Sequence, residues 1–406
     1  MATRKLATSK KNIDMITEKR RKKGIVRFGM LLTPFVLLLV LFYLTEPGKE
    51  TITDVIDQVR QQVAPDRRVA VFDISVEQKT GGWLLTGELD NTQAHETLLD
   101  ALESAGVPDI TDAITVLPHP DLGERKYGLV KVSVGNMRAQ PRYSTELVTQ
   151  VLMGTPLRVL KRSRSWYYVQ SPDGYLGWMS FGGFERVTEK QKNEWLDAPK
   201  IIVTAYHGIM YEEPAGSSLP VSNVSLGNRL LRLDRNGEWV LAALPDGRSG
   251  YLHESLLEDY DVWKENQELL ADNLIRTAKQ FIGFPYLWGG TSAKGLDCSG
   301  LTKLVYWLNG MDLSRDASQQ IRMGRHVEVG KEFELLEPGD LLFFGRKETP
   351  NSPERIVHVG LYIGNREFIH SSEMVRINSL DPGAPNFDRF EYNRFVRARR
   401  LLPSPS

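Results

Sequence analysis

One cysteine and two of the seven histidines are the side chains of this 406-residue chain best suited to covalent chemistry. Behind Cys298 the apolar residues Leu301, Leu304, Val305 and Leu308 recur at i, i+3, i+4 and i+7, the stripe of a helix buried along one face. The cysteine therefore opens a helix. Asp297 can cap the free N–H groups there, and the positive end of the helix dipole lowers a thiol pKa, raising the thiolate fraction that attacks. Gly289, Gly290 and Gly295 upstream permit a close approach of loop backbone, and the first helical N–H groups suit a developing oxyanion. The competing reading is a buried, inert cysteine that acts as a small hydrophobe.

A nucleophilic thiol needs a base. His358 and His370 lie on neighbouring apolar strand-like runs, Arg355 to Ile363 and Glu367 onward, with Gly364, Asn365 and Arg366 between them as a hairpin turn. A two-residue loop pairs Ile363 with Arg366 and turns the two histidines to opposite faces. A three-residue loop pairs Ile363 with Glu367, sets His370 opposite Gly360 and puts both imidazoles on one face. The three-residue loop is the expectation, giving thiolate, imidazole base and a second histidine orienting the first. Each histidine taken alone also reads as an ordinary strand residue.

These residues resemble the NlpC/P60 cell-wall cysteine peptidases. The resemblance runs through Tyr286, Trp288, Gly289 and Gly290, then Asp297, Cys298, Ser299 and Gly300. It continues through Leu336 to Phe344, His358-Val359-Gly360 and His370, over roughly a third of the chain. It implies Cys298 as nucleophile, His358 as base, His370 as the orienting third member and Tyr286 on the oxyanion side. It further implies hydrolysis of peptidoglycan stem peptides at the amide between D-glutamate and the diamino acid, with no metal and no cofactor. Leu313 to Gln320 matches a segment that lines the family's substrate groove; Asp297, Ser299 and Ser318 are candidate partners for the stem peptide's amine and carboxylates. Helix capping is an equal account of Asp297 and Ser318.

The elements that must position this site span several domains. Basic and acidic residues balance at 51 each, but residues 1 to 27 hold ten basic side chains against Asp14 and Glu18, a net of +8 that leaves −8 for the rest. A general nucleic-acid role is disfavoured. Phe28 to Leu44 is an uncharged, mostly apolar run of seventeen residues, just long enough to cross a bilayer at about 1.5 Å per residue. The expectation is a basic cytoplasmic tail (1–24) and a transmembrane signal anchor (25–45), with the N-terminus inside and the catalytic domain extracytoplasmic. No small-x-small cleavage site follows it.

Residues 50–118 read as helix, strand, strand, helix, strand, an order that resembles small BON-like envelope modules. The next stretch repeats itself at an offset of 73 residues without a gap: Met137 and Met210, Gly154 and Gly227, Leu157 and Leu230, Trp166 and Trp239, Pro172-Asp173-Gly174 and Pro245-Asp246-Gly247. The short β-rich runs of each copy, 127–188 and 199–258, resemble bacterial SH3-like barrels. In related peptidases with paired barrels the first closes one side of the groove and helps to recognise the free amine of an N-terminal alanine. That resemblance makes Glu146, replaced by Leu219 in the second copy, a candidate substrate-binding carboxylate; a solvated barrel charge is the plainer alternative. A charged linker helix over roughly 262–281, burying Leu270, Leu274, Ala278 and Phe281, leads into the catalytic domain at 262–402.

The expected protein is thus multidomain: a transmembrane helix, a BON-like α+β module, two SH3-like β-barrels and an α+β papain-like NlpC/P60 domain. Its partners are stem peptides or muropeptides and, through the N-terminal helix, the membrane. Another thiol amidase or acyltransferase of the same fold, and a non-catalytic wall-binding scaffold, remain open from the residues alone.

Overall fold

The computed structural model describes residues 48–403, so the basic tail and the apolar span at 25–45 lie outside the described residues. Among the described residues no helix is long and apolar enough to cross a membrane.

In the N-terminal module, helix Lys49–Val63 buries Ile52, Ile56 and Val59, and helix Thr92–Ser104 buries Ala94, Leu98 and Leu102. Both sets follow helical spacing, so each helix turns one stripe onto the sheet. Strands Phe72–Lys79 and Gly82–Leu89 pair antiparallel, and Ile110–Val116 joins the second in parallel. The helix, strand, strand, helix, strand order read from the sequence is the one that forms.

The repeat becomes two seven-stranded barrels with the same strand order. Strands of the first begin at Tyr127, Val134, Leu147, Pro156, Trp166, Leu176 and Phe184. Those of the second begin at Lys200, His207, Pro220, Arg229, Trp239, Ser249 and Leu257, each 73 residues on. Bulges recur as well, after Met137 and Met210 and after Val159 and Arg232. Repeated apolar positions such as Met137 and Met210, or Leu157 and Leu230, fill the two cores, which is why they persist while the surfaces differ.

Matching positions of the two barrels hold one short hairpin of the catalytic domain, Thr291–Ser292 paired with Gly295–Leu296. Gln150 of the first barrel accepts at Oε1 from the Thr291 N–H at 3.2 Å and from Ser292 Oγ at 2.8 Å. Its counterpart in the second, Asn223, accepts at Oδ1 from Lys294 Nζ at 3.0 Å. The hairpin leads straight into Asp297 and Cys298.

The catalytic domain is a six-stranded antiparallel sheet in the order Arg325–Val327, Phe395–Arg400, Leu341–Arg346, Arg355–Gly364, Glu367–Ser372, Met374–Ser379. Period-two alternation divides its side chains: Leu341, Phe343, Val359, Leu361 and Ile369 pack with the cysteine helix, while Leu342, Phe344, Tyr362 and Phe368 pack with Leu336, Leu380 and Phe395. The helix, Cys298–Trp307, buries Leu301, Leu304 and Val305 as the spacing required.

Two expectations need correction. The linker is not one helix but two, Tyr260–Glu265 and Ala271–Lys279. The break lets Trp263 sit between Tyr260, at 6.0 Å, and Trp307, at 5.4 Å, while Leu274, Ala278 and Phe281 still reach the core. Leu270, expected in the stripe, is 54 % exposed at the break. The histidine hairpin closes with a two-residue turn, Asn365-Arg366, rather than three. Both turn residues have positive φ (52° and 63°), as a primed turn demands, and Gly364 pairs with Glu367. Ile363 is absorbed as a bulge, which restores the register Leu361 to Ile369. His370 therefore falls opposite Gly360 after all.

Candidate active site

Cys298 is the first residue of its helix, and Asp297 caps it by accepting the Gly300 N–H at 2.7 Å. Gly300 permits this close fit, since a Cβ there would meet the Gly290 carbonyl oxygen at 1.9 Å. Gly289 combines φ +79° with similar crowding: a Cβ would lie 2.2 Å from the Leu147 carbonyl of the first barrel. The loop before the nucleophile is thus pressed between barrel and helix, and two glycines make room.

Cys298 as a whole residue retains 8 % exposure. The backbone of Val359, next to His358, lies close enough to the sulfur to favour its thiolate. Burial, reinforced by the Asp297 carboxylate, pushes the thiol up to about 12. Helix-dipole reasoning anticipates the opposite direction; here desolvation outweighs the dipole, so the thiol rests as a neutral S–H.

The two imidazoles share one face. His358 Nε2 lies 2.8 Å from His370 Nδ1, and His370 Nε2 lies 2.9 Å from Asn378 Oδ1. Asn378 also donates through Nδ2 to the Asn386 carbonyl at 3.1 Å, which fixes which end of its amide faces His370. An amide oxygen only accepts, so His370 carries its proton on Nε2 and presents a bare Nδ1. His358 must then donate from Nε2, leaving its Nδ1 free to take a proton. Burial holds His358 well below the usual histidine range and His370 down to about 4, so both rings are neutral at pH 7.

Glu391, on helix Arg389–Arg394, brings Oε1 within 3.9 Å of His358 Nε2. Ligand atoms of His358, His370 and Glu391 all lie within 4.8 Å of one another, a grouping the sequence did not suggest. The 2.8 Å between the two ring nitrogens is a hydrogen bond, shorter than the roughly 3.3 Å between ligands that Zn–N bonds of about 2.0 Å imply. Arg394 already holds Glu391 Oε1 at 2.5 Å. The set fits a proton relay better than an ion.

The other sequence candidates divide. Tyr286 is partly buried beside the thiol, and burial with nearby Cys298 and Asp297 raises its phenol pKa. Asp297 is buried in a network: its oxygens accept from Arg315 at 3.1 and 2.5 Å, from Gly289 N at 2.9 Å, from Gly300 N and from Ser299 Oγ at 3.3 Å. Ser299 is likewise turned inward, bonded to Arg315 at 3.0 Å and 4 % exposed. Capping, one of the two accounts of Asp297, is present in the structure. Glu146 reaches the loop before the nucleophile, accepting from the Trp288 indole N–H at 2.7 Å. Ser318 accepts from Arg68 of the N-terminal module at 2.8 Å.

Arg315 and Asn378 escaped the sequence reading. Arg315, 2 % exposed, also donates to Thr149 of the first barrel at 3.0 Å, tying barrel, cap and nucleophile helix together. Its position inside the recognised 313–320 segment was a signal, but not its partner. Asn378 had one too: the strand after His370 must return along it.

Known proteins resemble this chain in sequence and in fold. The model of the "NlpC/P60 family" matches residues 283–389, and that of the "Bacterial dipeptidyl-peptidase Sh3 domain" matches 137–180. A gamma-D-glutamyl-L-lysine dipeptidyl-peptidase of Bacillus cereus (strain ATCC 10987 / NRS 248) is 32 % identical over 270 residues, covering 64 % of this chain and 77 % of the relative. Dipeptidyl-peptidase 6 of Lysinibacillus sphaericus is 30 % identical over 268 residues, 63 % of this chain and 93 % of the relative. The crystal structure of an NlpC/P60 family protein from Bacillus cereus ATCC 10987 superposes with a TM-score of 0.58 at 27 % identity, covering 68 % of this chain and all of that one.

Proposed function

The chain belongs to the NlpC/P60 family of peptidoglycan peptidases, and from that premise we propose that it cleaves the γ-D-glutamyl to diamino-acid amide of stem peptides by a Cys-His-His thiol mechanism. One observation carries the mechanism: the relay Asn378, His370, His358, which leaves a bare ring nitrogen on His358, whose neighbour Val359 has its backbone close enough to the sulfur to favour the thiolate.

The steps follow from the protonation states. The Cys298 proton passes to His358 Nδ1 as the sulfur attacks the glutamyl δ-carbonyl, and the positive charge that appears on His358 is shared through the short bond to His370. The first-turn N–H groups and the Tyr286 hydroxyl are the donors for the oxyanion. His358 then returns its proton to the departing amine, leaving an acyl thioester. Water, activated by the same Nδ1, hydrolyses the thioester and restores the thiol. A pair that starts neutral separates charge only in the reaction, so the buried site favours the transition state over a resting ion pair.

The preferred substrates are short peptides with a free N-terminal L-alanine. The Bacillus relative named for gamma-D-glutamyl-L-lysine dipeptidyl-peptidase activity supports that reading, as does the first barrel pressed on the Trp288–Gly289 loop. Anchoring by residues 25–45, with the catalytic domain outside the cytoplasm, rests on the apolar span and its basic flank. The test is digestion of L-Ala-γ-D-Glu-diaminopimelate by the wild type and Cys298→Ala. L-Ala-D-Glu should be released by the wild type alone; equal release by both would remove the thiol mechanism.

A further inference from the structure

The N-terminal module matches neither family model, yet it reaches the groove segment. Arg68 NH1 donates to Asp316 Oδ2 at 2.7 Å and to Ser318 Oγ at 2.8 Å. Tyr175 of the first barrel donates to the same Asp316 oxygen at 2.9 Å. Asp316 follows Arg315, whose other face holds the cap of the nucleophile helix. Three modules thus converge on a seat for one cation, next to the segment that positions Cys298.

The way Arg68 is held separates a removable occupant from a fixed brace. Its backbone is pinned to the first barrel: the Leu176 N–H donates to the Arg68 carbonyl at 2.8 Å, and Gln170 donates to the Val69 carbonyl at 2.9 Å. Its Nε and NH2 grip Asp66 of its own module at 2.8 and 2.7 Å, and Asp66 Oδ2 also accepts from Gln319 Nε2 of the groove segment at 2.9 Å. Only NH1 enters the seat. The side chain is 35 % exposed and Asp316 26 %, so solvent reaches both. Because the guanidinium is planar, withdrawing NH1 turns the whole fork: its two bonds to the seat break and its grip on Asp66 loosens, while Asp66 keeps its bond to Gln319. What remains is a carboxylate, a serine hydroxyl and a tyrosine hydroxyl around the vacated spot, a set that fits a compact ammonium with three N–H donors.

We infer that Arg68 occupies, in the free enzyme, the seat that the substrate's N-terminal ammonium takes on binding, and so sets the affinity and selectivity for peptides with a free amine. The inference rests on the free-amine reading above and assigns the N-terminal module a part in it. The competent fraction of free enzyme is the fraction with NH1 withdrawn, and apparent affinity falls in proportion. For two partly exposed, charge-assisted bonds that penalty is about fivefold.

The test uses the full chain, two peptides and two variants. L-Ala-γ-D-Glu-L-Lys and its N-acetyl form are assayed with wild type, Arg68→Ala and Arg68→Gln, the second keeping a polar side chain should the first fold poorly. Both variants should lower KM for the free-amine peptide about fivefold, with kcat within twofold. A rise in KM, or an equal loss of kcat/KM on both peptides alongside a lower melting temperature, would make Arg68 a brace and overturn the inference. If the wild type handles both peptides with the same KM, the free-amine reading itself fails. If it discriminates and KM does not move in the variants, only the role of Arg68 fails.

Discussion

Replacing Asn378 by Leu removes an acceptor and little volume, which isolates its effect on proton placement. In the native chain Asn378 Oδ1, 2.9 Å from His370 Nε2, forces the tautomer that leaves His358 Nδ1 bare. Without it His370 can carry its proton on Nδ1, His358 then accepts at Nε2, and its own proton moves to Nδ1, where it blocks transfer from the thiol. With leucine there, the competent tautomer leaves a buried His370 Nε2–H without an acceptor, at a cost of about 1 kcal/mol or more, which tips the pair to the wrong tautomer and should cut the competent population, and with it kcat, roughly fivefold to tenfold. KM should stay within twofold, because no substrate contact is touched. Stability should drop by about 1–3 kcal/mol, since His370 Nε2–H and the Asn386 carbonyl lose their partner. Asn378→Asp retains an acceptor and should keep most of the rate. Steady-state kinetics on the alanyl-glutamyl tripeptide, with urea unfolding alongside, reads all of these. Wild-type kcat in Asn378→Leu, or a loss that falls entirely in KM, would refute the relay.

Arg315→Met should leave the Asp297 charge buried and uncompensated, costing about 3–5 kcal/mol in urea unfolding and most of the activity; a loss below about 1 kcal/mol would contradict the network. Stability should also fall as pH drops. His370 titrates at about 4 in the fold against about 6.5 unfolded, so between those values the unfolded chain binds more protons. The His370 contribution is fully present above 6.5, is lost by about 3 kcal/mol on reaching 4, and is flat below; His370→Asn should show a shallower slope over that window, and an unchanged slope would argue against a buried neutral ring.

What was legible in the chain was whatever repeats locally. The i, i+3, i+4 and i+7 stripe behind Cys298, the apolar alternation around His358 and His370, and the 73-residue offset each fix a periodicity, and each formed as read. The hairpin register was legible although the turn was not, because Asn365 and Arg366 both adopt positive φ without a glycine between them. The single linker helix failed because propensity does not register that Trp263 has Tyr260 and Trp307 to stack against. The thiol's direction failed because the dipole is local and visible, whereas desolvation depends on everything packed around the sulfur. Partners of charges were the least legible: Asp297 meets Arg315 eighteen residues on, and Asp316 meets Arg68 from 248 residues away.

Gln150 and Asn223 descend from one position and close on opposite ends of the same hairpin, like two jaws cut from a single die. The second barrel is therefore no spare copy. A descendant that shed it would keep every reactive atom and still aim its sulfur from a segment hinged at one end. Such a lineage would lose turnover with its reactive groups intact, and that cost shields the duplication from decay.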